Sequence, residues 1–175
     1  MNQLAKSISR TIRDVPDFPI EGIIFKDITP VLADPRLMMG ITGHFAKIYK
    51  NQKVDVVVGV ESRGFIFGVP LALALNAAFV PARKPGKLPY EHISQTYDLE
   101  YGTAELQMHT DAIQKGQRVV VVDDLLATGG TASATGSLVE QLGGTLLSYA
   151  FVVNLTFLNG IDKLGGVDVQ SIVEY

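Results

Sequence analysis

The stretch Val119-Val120-Val121-Val122-Asp123-Asp124-Leu125-Leu126-Ala127-Thr128-Gly129-Gly130-Thr131 decides the fold of this chain. Its run of valines predicts a strand that is buried on both faces, as in a parallel sheet. Two acidic residues follow at the expected end of that strand, and a turn of small residues then leads into a helical pattern. The stretch therefore predicts an α/β protein with a ligand at the carboxyl end of this strand.

The residue types at this strand end favour a ribose 5-phosphate as the ligand. A Gly/Thr-rich turn at a helix N-terminus offers backbone N–H groups and the positive end of the helix dipole to a phosphate. The carboxylates of Asp123 and Asp124 can accept hydrogen bonds from sugar hydroxyls or bind a metal ion. The alternative is an ordinary strand, helix cap and tight turn. Two adjacent acids without compensation at the end of an apolar strand are costly, which favours the ligand site.

The composition is that of an ordinary globular protein and excludes several kinds of site. The chain has 175 residues, which predicts one domain over 1–175 that is large enough to bury a core. Its formal net charge of -3 gives no overall basic surface for nucleic acid, and the absence of cysteine excludes disulfides and thiolate metal sites. The N-terminus lacks a signal-peptide core, and no apolar run has membrane-spanning length. These features predict a cytoplasmic protein without a membrane or nucleic-acid partner.

Strand and helix patterns alternate along the rest of the chain. Leu4, Ile8 and Ile12 predict a short amphipathic helix that Pro16 and Pro19 end. Strands are predicted over 54–60, 78–82 and 146–153, an edge strand over 167–173, and helices from Asp34-Pro35, over 65–75 and after residue 131. This alternation predicts a doubly wound, mostly parallel sheet flanked by helices. The glycine spacings match neither a Walker A loop nor a dinucleotide-binding fingerprint.

Three polar segments next to these strands have both functional and ordinary interpretations. Arg63 can bind an anion in a bidentate way, or it can form a salt bridge with Glu61 or Asp55. The loop 83–90 is either a clamp on a diphosphate or a solvated surface loop, since it holds three cations within five residues. The polar segment 91–108 predicts a long hairpin that arches over the site.

The central stretch resembles the phosphoribosyl pyrophosphate (PRPP) signature of the type I phosphoribosyltransferases. Its Leu125-Leu126-Ala127 segment is similar to the form found in the adenine phosphoribosyltransferases. Four further blocks extend the resemblance over nearly the whole chain: an adenine-recognition segment, a pyrophosphate loop, a basic loop and a catalytic lid. In that order they are Asp17-Phe18-Pro19 with Gly22-Ile23-Ile24-Phe25-Lys26-Asp27-Ile28-Thr29-Pro30, Glu61-Ser62-Arg63-Gly64-Phe65, Arg83-Lys84-Pro85-Gly86-Lys87-Leu88-Pro89, and Tyr97-Asp98-Leu99-Glu100-Tyr101-Gly102.

The resemblance implies a fold, a reaction and an assembly. The fold is the α/β type I phosphoribosyltransferase fold, with a small N-terminal hood over residues 1–33 and a mobile hairpin lid over residues 84–108. The reaction is the transfer of the phosphoribosyl group of PRPP to adenine, which gives AMP and diphosphate in purine salvage. Members of the family use Mg2+, held mainly by PRPP oxygens and water, and are typically homodimers.

The resemblance also implies a role for each matching residue. The ribose hydroxyls would bind to Asp123 and Asp124, and the 5-phosphate to Ala127, Thr128, Gly129, Gly130 and Thr131. The pyrophosphate would bind to Arg63 and Lys84, with Arg83 and Lys87 serving the site across the dimer. The adenine would lie between Ile24, Phe25 and Leu155, with Lys26 in the same recognition segment. The catalytic residues would be Arg63, Glu100 as proton acceptor or charge stabiliser at the purine, and Tyr101 in closing the lid.

Two local features refine this interpretation. Lys26 stands where many relatives have arginine, and because an ammonium is a point charge, the resemblance gives no bidentate contact at this position. The family's pyrophosphate loop can carry a non-proline cis peptide, and we expect one between Glu61 and Ser62.

Two other functions are open to a chain with a PRPP signature. A regulator that senses PRPP and binds nucleic acid is expected to have an added DNA-binding domain or a basic surface, and the sequence predicts neither. An enzyme for guanine, hypoxanthine or xanthine commonly has a lysine on the strand after the signature, where it reads the 6-oxo group. That strand holds residues 148–153 here and contains no lysine, which favours adenine.

Overall fold

The structure is a computed structural model that describes residues 3–98 and 102–175. Its helices and strands alternate as predicted for an α/β protein. In chain order they are α1 (Gln3–Thr11), β1 (Arg13–Pro16), β2 (Ile24–Asp27), α2 (Thr29–Leu32), α3 (Pro35–Tyr49), β3 (Val56–Val60), α4 (Arg63–Leu75), β4 (Ala78–Ala82), β5 (His92–Asp98), β6 (Thr103–His109), β7 (Arg118–Leu126), α5 (Gly130–Gln141), β8 (Thr145–Asn154) and β9 (Asp168–Glu174). Two 3-10 turns, Thr156–Leu158 and Gly160–Leu164, lie between β8 and β9.

Five strands form a central sheet in the order β4-β3-β7-β8-β9. Every neighbouring pair in this sheet is parallel. The predicted edge strand is β9, which lies at one edge of the sheet, and the valine-rich strand β7 lies in the middle. The predicted parallel sheet flanked by helices is therefore confirmed.

The valines of β7 divide between two hydrophobic cores because successive side chains of a strand point to opposite faces. Val120 and Val122 pack in the core that α1, α3 and α4 complete. Val119 and Val121 pack in the core formed with α5 and β6. Both faces of β7 are thus covered, which explains why its sequence is an unbroken apolar run. The strand leaves this double core where Asp123 begins the polar site.

The N-terminal segment contains a ladder that the sequence did not predict. Strands β1 and β2 pair antiparallel, with Val15 opposite Phe25. Helix α1 ends at Thr11, before either proline, so the prediction that Pro16 and Pro19 end it is wrong. The physical reason is that the residues after α1 are extended in this ladder, where Pro16 is the last residue of β1. The chain reverses between the two strands.

Helix α3 begins as predicted at Asp34-Pro35. The Asp34 carboxylate accepts hydrogen bonds from the backbone N–H groups of Arg36 and Leu37, at 2.8 and 3.3 Å. These bonds satisfy two amides that have no partner within the helix, and the proline fits the first turn because it has no amide hydrogen. The helix then packs its apolar face against α1 and α4, in the core on this side of the sheet.

Strands β5 and β6 form the antiparallel hairpin that the sequence predicted. His92 pairs with His109 at its base, and Asp98 with Thr103 near its tip. Arg83 and Gln107 exchange two backbone hydrogen bonds of 2.8 and 2.7 Å, which join the hairpin to the segment after β4. The tip at 99–101 lies outside the described residues. In the part of the chain that the structure describes, no helix is long and apolar enough to cross a membrane.

Candidate active site

The carboxyl ends of β3 and β7 open into a cavity of about 380 Å³. The hairpin β5–β6 forms a further wall. The lining residues are Glu61, Ser62, Arg63, Lys84, Tyr97, Ala104, Leu106, the residues 123–132 and Phe151. Cations, carboxylates and the N-terminus of α5 therefore face one space, and its volume is that of a small-molecule site.

The turn 127–131 lies at the end of β7 and continues into α5. Gly129 has a φ of 81°, in the left-handed region that favours glycine, and it precedes the first residue of the helix. No side chain caps the N-terminus of α5. The first amide groups of the helix therefore lack a side-chain acceptor and are available to a phosphate. The predicted phosphate turn thus has the backbone geometry that an anion site requires.

Asp123 and Asp124 form an acidic pair at the end of β7. The Asp123 carboxylate accepts a hydrogen bond of 2.8 Å from the backbone N–H of Asp124. Burial raises the pKa of both carboxyl groups above the ordinary aspartate value, and the charge of Asp124 raises the pKa of Asp123 further. Hydrogen bonds from a hydroxylated ligand in the cavity would stabilise the charged form of this pair, which burial disfavours.

Arg63, the first residue of α4, partly compensates the charge of this pair. Its Nε lies 2.9 Å from Oδ2 of Asp124, and its positive charge opposes the effect of burial on the pKa of Asp124. The alternative salt bridge that the sequence allowed, to Glu61 or Asp55, is wrong. Strand β3 lies beside β7, so the first residue of α4 reaches across to the end of β7 instead. The arginine remains partly exposed and faces the cavity.

Glu61 holds the basic segment after β4 next to the cavity. Its carboxylate accepts hydrogen bonds from Nε of Arg83, at 3.1 Å, and from the backbone N–H of Lys84, at 3.0 Å. Burial raises the pKa of Glu61, but these two hydrogen bonds and the Arg83 charge lower it below the ordinary value overall. Lys84 lines the cavity, whereas the side chain of Lys87 is exposed outside it. The predicted cis peptide between Glu61 and Ser62 is confirmed.

The three residues predicted to enclose a base lie beside this cavity rather than in its lining. The Phe25 ring is 5.8 Å from the Arg63 guanidinium carbon and packs edge-on against Phe18, at 5.2 Å between ring centres. Leu155 donates a backbone hydrogen bond of 3.0 Å to Leu126 at the end of β7. Ile24 is 59% exposed. Phe25 and Leu155 thus border the site, and Ile24 offers an apolar surface that nothing in the described residues covers.

The Lys26 side chain is engaged away from the cavity. Its Nζ lies 2.7 Å from the Asp14 carboxylate and 4.2 Å from the centre of the Tyr175 ring. An ammonium can make both contacts and does not need the planar guanidinium of an arginine. The lysine at this position therefore has a structural function. Through Lys26, the ladder β1–β2 is joined to the residue that follows β9.

The structure adds lining residues that the sequence did not indicate. Leu106 and Phe151 are buried in the core under the cavity, and only their position in the fold reveals them. Tyr97 lies in the block that resembles a catalytic lid, but the resemblance implies no function for it. Its hydroxyl accepts a hydrogen bond of 3.2 Å from Thr131. Glu100 and Tyr101, for which the resemblance implies catalytic functions, lie outside the described residues.

Comparisons with known proteins match this sequence and fold. The family model described as a phosphoribosyl transferase domain matches residues 27–159. The chain is 59% identical to the adenine phosphoribosyltransferase of Acetivibrio thermocellus over 165 residues, which cover 94% of this chain and 96% of that protein.

Solved structures give the same result. The crystal structure of adenine phosphoribosyltransferase from Thermoanaerobacter pseudethanolicus has a TM-score of 0.94 and 51% identity, covering 98% of this chain and 99% of that chain. The Saccharomyces cerevisiae enzyme, solved with D-2,5-dideoxy-2,5-imino-altritol 1,6-bisphosphate and adenine, has a TM-score of 0.92 and 43% identity, with 98% and 99% covered. The predicted type I phosphoribosyltransferase fold is therefore confirmed, and the chain belongs to the phosphoribosyltransferase family and, within it, to the adenine phosphoribosyltransferases.

Proposed function

We propose that this protein transfers the phosphoribosyl group of PRPP to adenine, forming AMP and diphosphate in purine salvage. The observation that carries this proposal is the single cavity in which the acidic pair 123–124, the turn 127–131 and Arg63 meet. These groups match a ribose, a 5-phosphate and a diphosphate respectively. The bound adenine and bisphosphate of the Saccharomyces cerevisiae relative support the same ligand class.

The charges around the cavity suit the bond changes of this reaction. The bond between C1 of the ribose and the diphosphate breaks, and N9 of adenine forms the new bond to C1. Arg63 and Lys84 lie where they can stabilise the negative leaving group, whereas Asp123 and Asp124 supply negative charge beside the positive sugar. A hairpin closed over the cavity would exclude water, which would otherwise hydrolyse PRPP. We therefore infer that the hairpin acts as the lid.

Magnesium fits this site as an ion that PRPP brings with it. Carboxylate oxygens are suitable ligands for a hard cation, but Asp124 is already paired with Arg63. Over residues 3–98 and 102–175, no group of three or more His, Asp or Glu side chains could hold a metal ion. We infer that Mg2+ is held mainly by PRPP oxygens and water. When bound, the ion would neutralise charge on the diphosphate.

Replacing Glu100 with glutamine is expected to lower kcat by on the order of a hundredfold, since a positioned proton acceptor usually contributes that much. The KM for PRPP should change far less, because the proposed PRPP contacts come from other residues. Steady-state kinetics with adenine and PRPP measure both constants. The matched control is Glu91→Gln, an exposed glutamate before the hairpin, which should leave both unchanged. Near-normal turnover of the Glu100 variant would remove Glu100 from its function.

We also propose that the protein is a cytoplasmic homodimer. The lack of cysteine suits a reducing compartment. On α4, Ile66, Val69 and Leu73 form an apolar stripe at helical spacing, and Leu73 is 77% exposed. Met39 of α3, which is 68% exposed, borders the same surface through a shallow groove. A second copy would cover this stripe, and because α4 begins at Arg63, the interface would adjoin the active site.

A charge in the apolar stripe should separate the dimer. The Leu73→Glu variant is expected to raise the dimer dissociation constant at least about tenfold, because an unpaired carboxylate would be buried at the interface. Sedimentation velocity over a concentration series measures this constant. Ile161→Glu is the control, since that exposed apolar side chain lies on a 3-10 turn away from the stripe. An unchanged dissociation constant for Leu73→Glu would exclude α4 as the interface.

A turnover assay tests the proposed reaction directly. The purified protein is mixed with PRPP and magnesium, and adenine, hypoxanthine and guanine are offered separately. We expect AMP from adenine and little product from the oxopurines. Product from an oxopurine instead would keep the PRPP site and overturn the assignment of the base. Binding of PRPP without product from any base would favour a PRPP sensor.

A further inference from the structure

The hairpin strand β5 lies along α5, the helix whose N-terminus forms the phosphate turn. Gln141 donates a hydrogen bond of 2.8 Å to Gln95 at the far end of the helix. At the near end, a side chain on Gly130 would come within 3.1 Å of the Asp98 carbonyl and 3.2 Å of the Tyr97 ring. Gly130 therefore allows β5 to lie directly against the turn. The hairpin and the phosphate turn form one packed unit.

A side-chain hydrogen bond joins this unit at the phosphate turn itself. Thr131 donates its hydroxyl proton to the hydroxyl oxygen of Tyr97, at 3.2 Å, and both residues line the cavity. The Tyr97 ring is half-buried and packs against the core on this face of the sheet. The ring thus fixes where the tyrosine hydroxyl lies, independently of any ligand.

The single proton of the threonine hydroxyl creates a conflict when phosphate arrives. A threonine hydroxyl has one hydrogen to donate, and a phosphate dianion offers only acceptors. Thr131 cannot donate to Tyr97 and to the phosphate at the same time. Tyr97 resolves the conflict because its own hydroxyl can donate to the Thr131 oxygen, while Thr131 donates to the phosphate. The two oxygens keep their positions, and only the direction of the hydrogen bond reverses.

We propose that Tyr97 is a positioning residue for the 5-phosphate of PRPP, acting through the hydroxyl of Thr131. This inference rests on the proposed function, since it requires a phosphate on the turn 127–131. Each hydrogen bond of the chain Tyr97–Thr131–phosphate polarises the next. The hydrogen bond that Tyr97 donates to Thr131 therefore strengthens the one that Thr131 donates to the phosphate. Because coupling between two events is reciprocal, phosphate on the turn also strengthens the hydrogen bond between Tyr97 and Thr131.

The test uses Tyr97→Phe, which keeps the packed ring and removes only the hydroxyl. Calorimetry measures the binding of ribose 5-phosphate and of diphosphate separately to the whole protein. We expect the Kd for ribose 5-phosphate to rise about three- to fivefold, because Thr131 loses the hydroxyl that orients and polarises it, and the Kd for diphosphate to change less than about twofold. In turnover, the KM for PRPP should rise while kcat is nearly unchanged.

A double-mutant cycle identifies the path of the effect. If Tyr97 acts through Thr131, the Tyr97→Phe change should have no further effect on ribose 5-phosphate affinity in a Thr131→Val background. Gln141→Leu is the matched control, because it breaks a second hydrogen bond between β5 and α5, far from the turn, and it should leave both affinities unchanged.

Three results would overturn this proposal: equal ribose 5-phosphate affinity in Tyr97→Phe and the wild type, equal loss of both ligands, or a full effect in the Thr131→Val background. If the two proteins bind ribose 5-phosphate equally and the wild type makes AMP, this proposal fails but the proposed function remains intact. The expected result in a protein that makes no AMP from adenine supports the phosphate assignment and overturns only the reaction. A wild type that does not bind ribose 5-phosphate overturns both.

Discussion

Replacing Gly129 with alanine is expected to weaken PRPP binding by on the order of a thousandfold, which corresponds to about 4 kcal/mol. Two effects add at this position. Gly129 has a φ of 81°, where a side chain strains the backbone by roughly 1–2 kcal/mol. A side-chain carbon there would also fall on the carbonyl oxygen of Gly160, which belongs to the 3-10 turn after β8.

The overlap cannot be relieved by a small local shift. A side chain on Gly160 would in turn fall on the carbonyl oxygen of Ala127, so the two glycine positions bring two backbone segments into direct contact. An alanine at 129 must therefore push the phosphate turn away from the 3-10 turn and redirect the amides at the start of α5. Those amides would no longer converge on one phosphate.

A matched control separates backbone strain from loss of the turn. Gly166 has a φ of 76°, but a side chain there would meet nothing within 4 Å. Gly166→Ala should lower the free energy of unfolding by about 1 kcal/mol and leave the KM for PRPP unchanged. Calorimetric PRPP binding and thermal melts of both variants measure these effects. Wild-type affinity in Gly129→Ala would show that the turn does not bind the 5-phosphate.

The parts of the molecule that the sequence predicts are those in which neighbouring residues decide the structure. The valines of β7, the acids that follow and the turn into α5 lie within thirteen consecutive residues, and the structure places them as predicted. The hairpin β5–β6 and the cap at Asp34 are local in the same sense. For such features, strand period, side-chain capping and glycine conformation are sufficient.

The features that the sequence did not predict depend on which distant segments become neighbours. Arg63 pairs with Asp124 because β3 lies beside β7, and no spacing along the chain expresses that adjacency. The contact of Gly129 with Gly160 likewise depends on the path of the chain after β8. The ladder β1–β2 is too short and too rich in charge and proline to show a strand period.

Arg63→Met is expected to lower kcat/KM by about a thousandfold, or ~4 kcal/mol of transition-state stabilisation. The variant removes a cation from the side where the diphosphate would leave. It also leaves the two carboxylates of Asp123 and Asp124 without the guanidinium that lies 2.9 Å from Asp124. The first loss affects activity alone, and the second affects stability as well, so the two can be measured separately.

The stability effect should depend on pH with a definite sign. Burial raises the pKa of Asp124 above the ordinary aspartate value of about 3.9, and Arg63 opposes this rise. Without Arg63 the pKa of Asp124 rises further, so the folded protein holds a proton that the unfolded chain has released. Stability then falls as the pH rises from the ordinary aspartate value through the raised pKa. Thermal melts should show a small deficit of Arg63→Met at pH 4.5 and a larger one at pH 8.

A second substitution shows whether the uncompensated charge is the cause. Asp124→Asn in the Arg63→Met background removes the negative charge that lost its partner, so stability at pH 8 should recover while activity stays low. Arg63→Lys keeps a positive charge near Asp124 and should retain most of the stability. Its activity should stay below that of the wild type, because an ammonium binds a diphosphate less well than a planar guanidinium, which donates two parallel hydrogen bonds. A deficit in Arg63→Met that is equal at pH 4.5 and pH 8, or that Asp124→Asn does not relieve, would show that Arg63 stabilises the fold by packing rather than by compensating the acidic pair.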